Sequence, residues 1–108
     1  METWSLFLDD ERFPPNDNRN WKIARSCSEA DILIKNFGMP SYISFDHDLG
    51  DESISGSGYR FAKHICDLDM LTKHKLPNNF DYYVHSQNPV GRDNIIGYLN
   101  NYLKMKEK

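Results

Sequence analysis

The sequence has no apolar run approaching the length that spans a bilayer, so a membrane-crossing helix is excluded at the outset. Its opening stretch, Met1-Glu2-Thr3-Trp4, carries neither the basic segment nor the apolar core of an export signal. The expected compartment is therefore the cytoplasm, or the host cytoplasm if the chain is viral. Cysteine is scarce: Cys27 and Cys66 both fall in helix-like patterns and read as small core residues, not as a disulfide. There is no excess of positive charge. The 13 Lys and Arg are set against 16 Asp and Glu, and a net charge of −3 argues against a broad DNA-binding surface. A small phosphate ligand is not excluded, because a site can be cationic locally or hold a metal. Internal repeats and low-complexity segments are absent too.

What remains is a chain of 108 residues, enough for one domain with one modest core. Short strand signals alternate with helical ones. Trp4-Ser5-Leu6-Phe7-Leu8 reads as a buried strand that stops at Asp9-Asp10. A proline- and asparagine-rich turn (14–18) follows, then the alternating stretch Trp21-Lys22-Ile23-Ala24-Arg25, as in a half-buried or edge strand. Ser26-Cys27-Ser28-Glu29 is a capping-box pattern, and Ala30, Leu33, Ile34 and Phe37 continue it on one helical face. Tyr42-Ile43-Ser44-Phe45 is the next strand. The polar stretch from Gly50 to Gly58 reads as a mobile loop, with Gly56 and Gly58 as hinges. A second helix carries Tyr59, Ala62, Ile65 and Cys66 and is expected to stop before Pro77. His64 and His74 read as exposed helix residues. The strand Phe80-Asp81-Tyr82-Tyr83-Val84 ends at His85-Ser86. Asn88-Pro89 then opens a last helix with the stripe Ile95, Tyr98, Leu99, Tyr102 and Leu103. The lysine-rich end, Lys104 to Lys108, reads as a frayed, solvated tail. The expected elements are strands at 4–8, 21–25, 41–45 and 81–85, and helices at 27–37, 58–74 and 90–105. Alternation of this kind implies a parallel sheet with right-handed crossovers.

In an open parallel sheet, ligands bind beyond the carboxyl ends of the strands. Three strands here end in unusual polar turns: Asp9-Asp10-Glu11-Arg12, Asp46-His47-Asp48-Leu49-Gly50, and His85-Ser86-Gln87-Asn88-Pro89-Val90-Gly91. Parallel strands would bring all three to one edge. So many carboxylates at close range cannot all ionise freely: either some stay protonated or a cation sits among them. Oxygen-rich clusters favour hard divalent cations, Mg²⁺ or Mn²⁺ foremost, over zinc. Asp9, Asp10, Asp46 and Asp48 are the candidate metal ligands. The period-2 geometry of a strand end puts Asp46 and Asp48 on one side, where they can share a metal, and His47 on the other. His85, whose imidazole can take or give a proton, is the candidate general acid or base, with His47 second. Backbone N–H groups at the helix start near Asn88 to Gly91, together with Ser86, would favour a phosphate. Arg12 and Arg92 flank the turns and can clamp phosphate oxygens, or serve as plain surface ion-pair partners.

These three motifs, in this order, resemble the cyclic-phosphate-processing receiver-domain family over nearly the whole chain. That family is similar in fold to response-regulator receivers and is common in phage and bacterial genomes. The resemblance implies a small three-layer, receiver-like (flavodoxin-like) α/β domain with a short parallel sheet of about four strands. It also implies processing of cyclic phosphate ends or cyclic nucleotides, and hence a phosphate-containing small molecule or an RNA end as partner. Carried over residue by residue, it makes Asp9 and Asp10 the acidic pair after the first strand and Asp46 the phosphoacceptor position, with Ser86 near the place of the hydroxyl residue. The lysine that receivers carry after a fifth strand has no counterpart, and His47, Asp48 and His85 are chemistry a signalling receiver does not need. The leading expectation is a metal-dependent phosphoesterase, a hydrolase in which Asp46, His47 and His85 take part in the reaction. The alternatives are a non-catalytic binder that sequesters a cyclic nucleotide or phosphorylated ligand, and a degenerate receiver phosphorylated on Asp46.

Overall fold

A computed structural model of the chain describes residues 3–50 and 57–106. The elements run β1 (Ser5–Leu8), β2 (Trp21–Ala24), α1 (Cys27–Phe37), β3 (Tyr42–Phe45), α2 (Gly58–Leu71), β4 (Asp81–Val84) and α3 (Pro89–Lys106). Most of the loop expected between Gly50 and Gly58, including Gly56, lies outside the described residues, as does Lys108. No helix among the described residues is long and apolar enough to cross a membrane.

The helix starts follow their sequence signals. Ser26 caps α1 by accepting from the Glu29 N–H at 3.2 Å, and Ser57 caps α2 by accepting from the Arg60 N–H at 3.1 Å. Asn88 does the same for α3, its Oδ1 accepting from the Gly91 N–H at 3.0 Å. The end of α2 comes earlier than the 58–74 expected. The Thr72 hydroxyl donates to the Leu68 carbonyl at 2.6 Å while the Thr72 N–H binds the same oxygen, and these bonds close the helix well before Pro77.

The four strands are all parallel, in the order β2-β1-β3-β4. Two crossovers, β2 to β3 through α1 and β3 to β4 through α2, step in the same direction across the sheet. The right-handed rule therefore puts both helices on one face. Leu6, Leu8, Ile43, Phe45 and Val84 point to that face, in one buried cluster with Ala30 and Ile34 of α1, Phe61 and Ile65 of α2, and Ile95 and Leu99 of α3. The connection from β1 to β2 steps the other way, so it crosses the opposite face, and it does so as an irregular segment (9–20). The third layer is thus a loop where a helix would otherwise stand.

Packing also revises several surface assignments. His64 is only partly exposed, and its Nε2 lies 2.8 Å from Asp31 Oδ1; His74 is half-buried as well. Lys106 is part of α3 and not of a frayed tail: its Nζ lies 3.0 Å from buried Asp69, which also accepts from the Tyr102 hydroxyl and the Leu76 N–H. These bonds tie the far ends of α2 and α3 together. Cys66 is buried in the core, and burial first, with nearby Asp67 and Asp69, pushes its thiol up to about 12. It is an inert packing residue, as its helical position suggests.

Two glycines set how closely the helices approach the turn after β3. A Cβ on Gly58 would stand 1.9 Å from the Asp46 carbonyl oxygen, and one on Gly91 would stand 2.4 Å from the His47 ring. Gly58 is therefore a contact point and not a hinge. The obstacle at Gly58 is backbone and cannot swing away. Gly58→Ala is expected to lower the unfolding free energy by about 1–3 kcal/mol in urea titrations. Gly97→Ala, at a helical position with open space around it, is expected to raise it by up to about 1 kcal/mol.

Candidate metal and phosphate site

Strand register assembles this site. Leu8 pairs with Ala24 and with Phe45, and Phe45 pairs with Val84. The next residue of each strand, Asp9, Arg25, Asp46 and His85, therefore stands in one row along the carboxyl edge. The ladder carries one residue further to hold them there. The Asp9 N–H donates to the Ala24 carbonyl at 3.1 Å, that of Asp46 to Leu8 at 2.9 Å, and that of His85 to Phe45 at 2.9 Å. Since Leu8, Phe45 and Val84 face the helices, Asp9, Asp46 and His85 face the loop-covered side.

Asp9 is fully buried and saturated with donors. Its Oδ1 accepts from the backbone N–H groups of Glu11 and Arg12, each at 2.9 Å. Its Oδ2 lies 2.9 Å from His85 Nε2 and 3.0 Å from Arg12 Nε. The other ring nitrogen of His85, Nδ1, lies 2.7 Å from the Ser44 hydroxyl, and the imidazole stacks on Phe7 with centroids 4.7 Å apart and planes 3° from parallel. His85 is thus fixed on both nitrogens and on one face. The Arg12 guanidinium bridges the two carboxylates, reaching Asp46 Oδ2 at 3.4 Å, while 42% of its side chain stays open to solvent. Arg25 donates to the carbonyls of Asp9 and Arg12 and so holds the first turn in shape.

The two carboxylates are pushed in opposite directions. Burial alone would raise Asp9, but the backbone N–H groups of Arg12 and Glu11, with His85 and the Arg12 guanidinium, outweigh it and hold Asp9 below the usual carboxylate range. Asp46 is raised, by burial first and by the charge of Asp9 second, against the pull of Arg12 and His85. Asp9 is the committed anion of the pair, and Asp46 is the carboxyl that more readily carries a proton.

Asp9, Asp46 and His85 each offer one ligand atom, and these atoms lie within 4.8 Å of one another, a spacing that suits a shared metal ion. Two carboxylate oxygens and one imidazole nitrogen form a donor set compatible with a divalent cation. The other expected residues lie around this group. The alternation that would align Asp48 with Asp46 ends with the strand at Phe45. Asp48 is 65% exposed, and its carboxylate pairs with His47 Nδ1 at 3.0 Å. His47 packs its ring on Gly91 of α3. Asp10 is exposed, with its carboxylate beside Gly50. Two of the N–H groups expected to cradle a phosphate are already bonded: that of Asn88 to the Ser86 hydroxyl at 3.1 Å and that of Gly91 to Asn88 Oδ1. Ser86 and Asn88 therefore shape the turn. Arg92 lines a groove along β4 with Tyr82 and Ile96, on the helix side of the sheet. Sequence reasoning missed Ser44, Phe7 and Arg25. The signal for Ser44 was a hydroxyl two residues before Asp46, hence on the same strand face.

A parallel α/β sheet with acidic residues at the ends of β1 and β3 defines a receiver-like domain. The chain belongs to the family described as the cyclic-phosphate processing receiver domain, whose model matches residues 4–101. No curated protein and no solved structure matches it.

The opposed shifts make a stability test with opposite signs. A raised carboxyl destabilises the fold when ionised, so Asp46→Asn is expected to raise the melting temperature at neutral pH. That gain fades as the pH falls through the raised value and the wild-type side chain neutralises. The depressed Asp9 contributes stability that is present above the ordinary carboxylate value and lost as the pH falls through its lowered one. Asp9→Asn is expected to cost about 1–3 kcal/mol at neutral pH. Thermal melts at neutral and acidic pH check both signs.

Proposed function

We propose that the chain is a metal-dependent phosphoesterase that opens a cyclic phosphate on a nucleotide or an RNA end. The observation that carries this reading is the convergence of Asp9, Asp46 and His85 with a half-exposed Arg12 at one edge. A divalent cation, Mn²⁺ or Mg²⁺, held by the carboxylates of Asp9 and Asp46 would supply Lewis acidity toward a phosphoryl oxygen. Arg12 binds and orients: the guanidinium N–H groups not spent on the carboxylates face the substrate's phosphate oxygens. Water adds to phosphorus, the bond from phosphorus to one sugar oxygen breaks, and the ring opens to a monoester. Asp46, with its raised proton affinity, accepts the proton from the attacking water. His85 passes a proton to the departing oxygen through Nε2, which Asp9 Oδ2 holds at 2.9 Å, while Nδ1 stays on Ser44. Phe7 and Ser44 keep that ring in place, and His47 and Asp48 stand at the rim.

One observation favours a second reading, a binder that sequesters its ligand intact. The Arg12 side chain is 42% open to solvent beside the two carboxylates, so it can hold a phosphate by charge-assisted hydrogen bonds without turnover.

Incubation with 2′,3′-cyclic-phosphate ends and cyclic nucleotides, with Mg²⁺, Mn²⁺ or EDTA, separates the readings by mass spectrometry. Hydrolysis is expected with metal and none with EDTA, and His85→Ala is expected to lower turnover by about 10²-fold or more. Retention of intact ligand identifies a binder, and a phosphoryl mass gain on Asp46 with a phosphodonor identifies a receiver.

A further inference from the structure

The sheet face that carries Asp9, Asp46 and His85 continues downward as an aromatic surface. Alternation along the strands puts Phe7, Tyr42, Ser44 and Tyr83 on this side, and Trp21 joins them at the edge. No helix among the described elements covers it. The 9–20 segment arches over it and brings Phe13 and Pro15, enclosing a cleft of about 350 Å³. Phe13 is 75% exposed and Tyr83 is 58% exposed, an unusual outlay of aromatic surface on so small a domain. Trp21 stands edge-on to both Phe7 and Tyr42, at centroid distances of 5.7 and 5.9 Å, which makes a rigid wall. The hydroxyls of Tyr42 and Tyr83 have no hydrogen-bond partner among the described residues.

His85 lines this cleft and is also a member of the acidic group, so one residue joins the two sites. A ligand with its phosphate among Asp9, Asp46 and Arg12 would extend its next moiety past His85 and toward Tyr83. That moiety must be flat and apolar on its faces and able to hydrogen-bond at its edges, which describes a nucleobase. We propose that this aromatic cleft is the base-binding subsite for a ribonucleoside cyclic phosphate whose phosphate is processed at the Asp9–Asp46–His85 edge. The volume stands at the low end of small-molecule sites, which run from about 300 to 1,000 Å³. It suits one nucleoside and not a cyclic dinucleotide. Stacking recognises every base, so purines should bind above pyrimidines by stacking strength with little further selectivity.

The inference rests on the phosphoesterase reading only for what happens to the phosphate, and the test keeps the two apart. Adenosine, adenosine 2′,3′-cyclic phosphate and the base-free glycerol 1,2-cyclic phosphate serve as probes. Binding is read from the aromatic NMR signals of the whole protein, and turnover from product formation with Mn²⁺. Adenosine is expected to shift the rings of Trp21, Tyr42 and Tyr83 without metal. Tyr83→Ala and Phe13→Ala, both at exposed positions that leave the core intact, are each expected to weaken its binding by about tenfold. The adenosine ester should be hydrolysed with a lower KM than the base-free one, and the two variants should erase that difference. Ring signals unmoved by adenosine, or equal KM values for the two esters, overturn the base subsite and leave the phosphoesterase standing. Adenosine binding in the cleft with no hydrolysis of either ester supports the subsite and counts against the phosphoesterase.

Discussion

A fully buried, ionised Asp9 is the constraint around which the carboxyl edge is organised. A carboxylate withdrawn from water is tolerated only where its oxygens are bonded. Here two backbone N–H groups, a guanidinium and an imidazole meet that demand. Each partner is in turn held by something else. Arg25 pins the turn that supplies the N–H groups, Ser44 and Phe7 pin His85, and Asp46 draws the far end of Arg12. The edge is therefore a connected network drawn from the ends of all four strands, and loss of a group that bonds Asp9 leaves its buried charge short of a partner.

The network also explains why the two aspartates differ. Asp9 lies where the chain turns back on itself and offers its own N–H groups. Asp46 lies in the middle of the edge, beneath the approach of α2 at Gly58 and next to the charge of Asp9. Two like residues a few ångströms apart thus acquire opposed proton affinities, one from the donors that meet its buried carboxylate and the other from burial beside a like charge. That division is the usual basis for separate acid and anion roles.

Replacing a helix with the 9–20 segment has a further consequence. A helix packed on that face would bury Tyr42 and Tyr83 in an apolar core, as Phe7 already is. An irregular segment leaves a cleft instead, and the cleft opens onto the acidic edge through His85. The scaffold on the helix side is ordinary core packing, whereas the departures from it gather on the other side, with the buried carboxylates and His85.

The order of strands and helices, the caps at Ser26 and Asn88, the parallel sheet and the meeting of the first and last turns were all legible from residue types and their periodicity. Those signals are local: hydrophobic spacing, capping side chains and turn residues act within a few positions of themselves. The sequence also marked Asp9, Asp46, Arg12 and His85 as chemistry, because polar residues ending buried runs demand partners. It did not separate Asp9 from Asp10, or Asp46 from Asp48, since which carboxylate turns inward depends on where the ladder ends and which N–H groups lie opposite. Nor did it reveal Ser44 against His85, the Arg12 bridge, the occupied N–H groups near Asn88, or the aromatic cleft. Each of those is a contact between residues distant in the chain, and register and packing, not composition, set the distances across them.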